Sequence, residues 1–213
     1  MTEYRLIPAE ARVIAALVEK SITTPAYYPM TVNGLMLAAN QKTSRHPVMN
    51  LTEGEVGAAL NRLEEMKWVT RDSFSARAQK WRQQFQHQLL LKPQTQAVLV
   101  TLMLRGPQTL AELRAHAEAL GGPRDSEALN LVLQDLADRA QPLLVQLPRA
   151  PGQSAVRYAH TLCGPPAASE AYAPEAATPA TGDDPGRPTI HALLARIEAL
   201  EQRVAALETP PQP

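Results

Sequence analysis

The chain has 213 residues, a formal net charge of zero from 21 Lys/Arg and 21 Asp/Glu, and one cysteine. That length admits one or two domains. The lone Cys163 excludes an internal disulfide and a cysteine-based zinc cluster, and zero net charge excludes the strong basicity of a dedicated nucleic-acid binder.

The charge is unevenly spread. Residues 1–88 carry 11 Lys/Arg against 8 Asp/Glu, residues 89–163 carry 7 against 6, and residues 164–213 carry 3 against 7. An acidic tail therefore offsets a mildly basic body. The N-terminus has no basic region followed by an apolar stretch, and no window reaches the roughly 18 apolar residues of a membrane helix. The reading is a cytoplasmic protein that does not engage a membrane.

Val13-Ile14-Ala15-Ala16-Leu17 and Val98-Leu99-Val100-Thr101-Leu102 open two similar blocks. In the first, helix one is expected from Ala9 to Lys20, with Ile14, Leu17 and Val18 inward. Pro25 then favours an extended path from Ile22 to Thr24. Thr31 can cap helix two, which runs to Asn40 and buries Leu35, Met36 and Ala39. A polar stretch from Gln41 to Asn50 follows. Thr52 and Glu55 form a capping box for helix three, which buries Val56, Leu60 and Leu63 and ends near Met66. Trp68-Val69-Thr70 and Lys80-Trp81-Arg82 read as two strands with a turn over 73–79.

These residues carry a family resemblance. Thr23-Thr24-Pro25, Tyr28-Pro29, Asn33, Asn40-Gln41-Lys42, Arg45, Pro47-Val48 and Asn50-Leu51 resemble the signature of the YceH family, over about residues 4–163. The resemblance implies two fused winged-helix domains and no established biochemical role. Ala39 stands where that family usually has cysteine, and His46 where it usually has an acidic residue, which makes this loop more basic than its relatives.

In the second block, helix one spans Thr95 to Arg105, with Leu99, Leu102 and Met103 inward, and Gly106-Pro107 stops it with a left-handed glycine cap. Thr109 and Glu112 form another capping box, for a helix to Leu120. Gly121-Gly122-Pro123 breaks that helix, and Asp125 or Ser126 caps a third helix that buries Leu129, Val132, Leu133 and Leu136. Leu143 to Leu147 and Val156 to Leu162 alternate as strands around a tip at 148–153.

The expected fold is mainly α with small β wings: winged-helix domains at 1–88 and 89–163, a disordered linker at 164–189, and a coiled-coil helix at 190–208. Ile190, Leu193, Ile197, Leu200, Val204 and Leu207 form the heptad seam, with β-branched residues at a and Leu at d. That pattern favours a homodimer; the alternative is a helix docked on its own domain.

No HExxH, P-loop or GxGxxG is present, and His160 and Cys163 lack two further ligands for zinc. Nothing beside Cys163 lowers its pKa, and Thr23, Thr24 and Tyr28 have no adjacent base. The expectation is a non-enzymatic protein without cofactor or metal.

Both third helices are acidic, through Glu53, Glu55, Glu64 and Glu65 in one and Glu127, Asp135 and Asp138 in the other. Orthodox major-groove docking of either helix is therefore disfavoured. Positive charge gathers instead at Lys42, Arg45 and His46 in the loop, at Arg71, Arg77, Lys80 and Arg82 around Trp81, and at Arg149 in the second wing. Either these contact DNA phosphates, or they are solvated surface cations with Trp81 in the core. The long loop is likewise either functional or a set of amides satisfying buried backbone. Two functions follow: a dimeric DNA-binding or transcription-associated protein, or a protein-interaction adaptor that binds no nucleic acid.

Overall fold

Helix α1 (Pro8–Thr23) opens on a proline, at a position where no backbone amide is needed. The Glu10 carboxylate accepts the Ile7 amide at 3.0 Å. The helix runs past Lys20 because Pro25 constrains only Thr24, whose φ is −136°. The computed structural model describes residues 5–73, 78–149 and 155–166. The turn containing Arg77, most of the tip between residues 148 and 153, the linker beyond 166, and the heptad residues Ile190 to Leu207 lie outside the described residues.

Thr31 caps α2 (Val32–Ala39), its Oγ1 accepting the Gly34 amide at 3.2 Å. Before α3 (Glu53–Glu65), Thr52 Oγ1 accepts the Glu55 amide at 3.3 Å, and Glu55 Oε2 accepts the Thr52 amide at 2.7 Å. Both ends of the expected capping box are therefore closed. Strands β1 (Met30–Thr31), β2 (Val69–Arg71) and β3 (Lys80–Gln83) form an antiparallel sheet in the order β1-β3-β2. Met30 faces Trp81, and Thr70 faces Arg82. A short helix α4 (Phe85–Gln88), which the sequence pattern does not announce, sets Phe85 edge-on to buried Trp68 with ring centroids 5.2 Å apart.

The second block repeats the order with α5 (Pro93–Arg105), α6 (Leu110–Ala117), a tight helical turn Glu118–Leu120, and α7 (Ser126–Ala137). Strands β4 (Leu144–Leu147) and β5 (Arg157–His160) pair antiparallel. Gln108 and Tyr158 exchange two backbone hydrogen bonds, 3.0 and 2.8 Å, in the place that β1 takes beside β3. Leu129, Val132, Leu133 and Leu136 are buried on α7, as their spacing predicts. Gly106 departs from the expected left-handed cap. Its φ is 74° but its ψ is -159°. That region is one that glycine alone visits freely.

Helices α1 and α5 pack against each other, which explains why the middle turns of both are buried on every side. Val13 to Val18 and Ala97 to Val100 are fully buried, because each helix faces its own block on one side and the other block on the opposite side. One apolar core runs continuously from Leu6 to Leu162. Each fully buried Leu or Val in it contributes about 1.5–3 kcal/mol relative to exposure.

The loop at 41–50 crosses between the blocks. The His46 amide donates to the Leu104 carbonyl at 2.8 Å, and Arg105 Nη2 donates to Ser44 Oγ at 2.7 Å. Asn40 holds the far end of the loop: Nδ2 donates to the Leu51 carbonyl at 2.7 Å, and Oδ1 accepts the Leu51 amide at 2.8 Å. This loop therefore braces the joint between the blocks, and Asn40 satisfies backbone groups.

Candidate nucleic-acid interface

The loop cations diverge. Arg45 has a side-chain exposure of 0 %, unlike the surface residue expected from sequence. Its Nη1 and Nη2 hold Glu19 at 3.1 and 2.6 Å, and Nη2 also donates to the Ala38 carbonyl at 2.9 Å. A buried guanidinium so enclosed cannot reach a phosphate, so Arg45 leaves the candidate interface. Burial pushes the Glu19 pKa up, but hydrogen bonds and charge from Arg45, with help from Lys20, win and hold it below the ordinary carboxylate value.

His46 is exposed but lines a different cavity, beside Arg12, Met103 and His160. Lys42 is exposed next to Gln41 and makes no ion pair among the described residues. The same holds for Lys80, which is half-buried at the start of β3.

Arg71 and Arg82 are exposed on the sheet but each faces an acid. Arg71 Nη2 lies 2.9 Å from Glu64 Oε2, and its guanidinium sits 5.1 Å from the Trp81 ring centroid. Arg82 Nε donates to Asp72 Oδ1 at 2.8 Å, while its guanidinium covers the Tyr28 ring. Trp81 itself is buried, so it belongs to the core rather than to a stacking surface. The acidity of α3 is partly neutralised in the same way, by Arg71 on Glu64 and by Arg62 on Glu65. Arg149 is exposed in the second block and pairs with no acid among the described residues.

A groove of about 510 Å³ lies between α2, the segment before β1, and β3. Lys20 and Lys80 line it together with Thr24, Thr31 and Gln41, and Tyr27, 79 % exposed, stands in its wall. Sequence reasoning does not single out Lys20 or Tyr27. Lys20 reads as an ordinary helix-end cation, and Tyr27 as part of a connector; only the packing of β3 beside the connector brings Lys80 to them. Tyr28, one residue on, turns inward, and its hydroxyl accepts the Gln83 amide at 2.7 Å. Burial raises the Tyr28 pKa above its ordinary value, so the hydroxyl stays protonated.

No helix among the described residues is long and apolar enough to cross a membrane. The family model described as a protein of unknown function, DUF480, matches residues 6–153. The chain is 42 % identical over 205 residues to a UPF0502 protein of Geobacter sulfurreducens, covering 96 % of this chain and 91 % of that one. It is 41 % identical over 211 residues to a UPF0502 protein of Cronobacter sakazakii, covering 96 % and 94 %. The chain belongs to the UPF0502 family. UPF0502 membership agrees with the family resemblance of the signature at 23–51. The structure gives several signature residues a physical role: Asn40 clasps Leu51, Arg45 clasps Glu19, and Tyr28 ties the segment before β1 to the end of β3.

Proposed function

We propose that this chain is a non-enzymatic tandem winged-helix protein that binds duplex DNA through its backbone phosphates. The observation that carries the reading is the groove holding Lys20 and Lys80 beside the sheet, with exposed Lys42 next to its Gln41 wall. Among the described residues those cations face no carboxylate except Glu19, which lies 3.3 Å from Lys20. Phosphate contact therefore meets little competition. The element order and the sheet order β1-β3-β2 support a winged helix in the first block, and the Gln108–Tyr158 bridge supports a second. Arg77, at the wing tip by sequence, and Arg149, in the second block, extend the cationic set. The heptad at 190–207 would join two copies in the cytoplasm, doubling the phosphate contacts.

A second reading, a protein-docking adaptor, is favoured by α7. Leu131 is 63 % exposed. It stands between Glu127 and Asp135, one turn to either side, which suits a basic amphipathic partner.

Fluorescence anisotropy with generic duplex DNA across a salt series tests both. About three phosphate contacts per protomer give a log–log slope of about −3. The triple variant Lys42→Ala, Arg77→Ala, Lys80→Ala should lose that binding. Unchanged binding in the variant would remove this face from the proposal, and no binding by the wild type at low salt would leave the adaptor reading.

A further inference from the structure

A second cavity, of about 500 Å³, opens where the two blocks meet. Its volume falls within the range of small-molecule sites. Ala11 and Arg12 of α1, Met49 of the loop, Met103 of α5, His160 at the end of β5 and Cys163 just beyond it contribute to its wall. The helices, loop and strand that meet at this joint thus each supply a residue.

Arg12 is the anomaly in that wall. It is 2 % exposed and holds the Ala39 carbonyl through Nη1 at 3.3 Å and the Pro47 carbonyl through Nη2 at 2.8 Å. Its Nε makes no hydrogen bond. Carbonyl oxygens satisfy donors but do not cancel charge, and no carboxylate among the described residues pairs with Arg12. Glu19, the nearby carboxylate, is clasped by Arg45 and touched by Lys20 and makes no ion pair with Arg12. Buried charges are normally paired. Burial draws the Arg12 pKa down to about 10; the neighbouring charge of Arg45 adds to the effect, and Glu19 opposes it only in part. One positive charge at this joint therefore stands uncompensated.

Across the same wall, His160 Nδ1 is enclosed and makes no hydrogen bond. Burial keeps this ring neutral at physiological pH, so it offers one donor or acceptor rather than a second charge. Apart from His46 at the exposed edge, the remaining lining is mostly apolar, through Ala11, Met49 and Met103 with several prolines.

We propose that this cavity binds a small organic monocarboxylate, its carboxylate held against Arg12 and its apolar body against Met49 and Met103. One uncompensated cation calls for a single negative charge. The apolar wall calls for carbon, which disfavours a bare inorganic anion.

Cys163, the chain's one cysteine, is half-buried in the same wall and reports on occupancy. Alkylation of Cys163 by iodoacetamide is followed by mass spectrometry on the full chain, with phenylacetate, indole-3-acetate or octanoate added, each beside its neutral amide. At least one acid should slow alkylation by about fivefold at about four times its dissociation constant, and its amide should slow it far less. Arg12→Lys should retain part of the discrimination, and Arg12→Met should abolish it. The acid–amide comparison is made on the wild type, so it stands even where Arg12→Met fails to fold. Equal protection by acid and amide, or protection by none of the three acids, would overturn the proposal. Glu170 follows the cavity-lining Pro166 by four residues in the sequence; protection that emerges only in Glu170→Gln would overturn the proposal too, because the chain's own carboxylate would then be the occupant.

Discussion

Arg45 closes on Glu19 through both terminal nitrogens, Nη1 to Oε1 at 3.1 Å and Nη2 to Oε2 at 2.6 Å. The two residues stand 26 apart in sequence, so the pair ties the loop to α1. Arg45 also holds the Ala38 carbonyl, which fixes the end of α2. Arg45→Met removes the charge but keeps most of the apolar stem, leaving Glu19 half-buried beside Lys20 alone. Breaking a buried pair from one side costs about 3–5 kcal/mol. Urea unfolding should show a loss of that order. Glu19→Gln with Arg45→Met should recover part of it, since no half-buried carboxylate is then left without its guanidinium. A loss below about 1 kcal/mol for the single variant would show that water reaches the pair and screens it.

His160 sets an acid limit on stability. Burial pushes its pKa from 6.5 down to about 4 in the folded chain. Above pH 6.5 both states hold the neutral ring, and its contribution is complete. Between pH 6.5 and 4 the unfolded chain takes up a proton that the folded chain refuses, so stability falls as pH falls. The full loss amounts to about 3 kcal/mol. Glu19 acts in the same direction lower down. Its folded pKa is depressed, so its stabilisation is present above the ordinary carboxylate pKa and is lost as pH falls through the folded value. Unfolding free energies measured from pH 7.5 to 4 should slope downward. His160→Gln should flatten the slope in that window and leave the Glu19 region below it unchanged.

The parts of this fold that are legible in sequence are those written within a single turn or helix. Thr52 with Glu55, and Thr109 with Glu112, announce their helices because cap and acceptor are three residues apart. Leu129, Val132, Leu133 and Leu136 announce one buried face in the same way. Sequence places Arg45 on the surface because its partner Glu19 lies far back in the chain on α1, and a charged residue in a polar loop carries no local mark of burial. Arg12 is hidden for a related reason. It sits on a helix whose every side is covered once α5 packs against it, and that covering is encoded far along the chain, from Pro93 onward. The candidate groove is half legible: Lys80 belongs to a visible basic strand, but Lys20 reaches it only through the pairing of β1 with β3.

The continuous core through α1 and α5 makes a prediction about cooperativity. Thr109 Oγ1 accepts the Glu112 amide at 3.3 Å, and Glu112 Oε2 accepts the Thr109 amide at 2.7 Å. Thr109→Ala removes this cap and should cost about 1 kcal/mol. The cap belongs to the second block only, yet both blocks share one core. Calorimetry should therefore show the transition of the described blocks moving down as one. A variant in which only part of the unfolding enthalpy shifts would show that the two blocks melt independently.

Gly121 and Gly122 are adjacent but are required for different reasons, and the two alanine variants should separate them. Gly121 has φ 80° and ψ 24°, the left-handed conformation that ends the helical turn at Leu120. A methyl group there meets nothing within 4 Å. Gly121→Ala therefore carries only the conformational cost, about 1–2 kcal/mol. Gly122 faces the opposite problem. A Cβ at Gly122 would lie 2.6 Å from Ala117 Cβ and 2.8 Å from the Ala117 carbonyl oxygen. The Gly122 amide already donates to that carbonyl at 2.8 Å, so the backbone cannot retreat without breaking the bond that closes α6. Overpacking against fixed backbone costs about 1–3 kcal/mol, with the lost hydrogen bond adding about 1 kcal/mol. Gly122→Ala should therefore destabilise more than Gly121→Ala in parallel urea titrations. The reverse order would mean that α6 shifts freely over α7 and that its end is held less firmly than the Gly122–Ala117 bond implies.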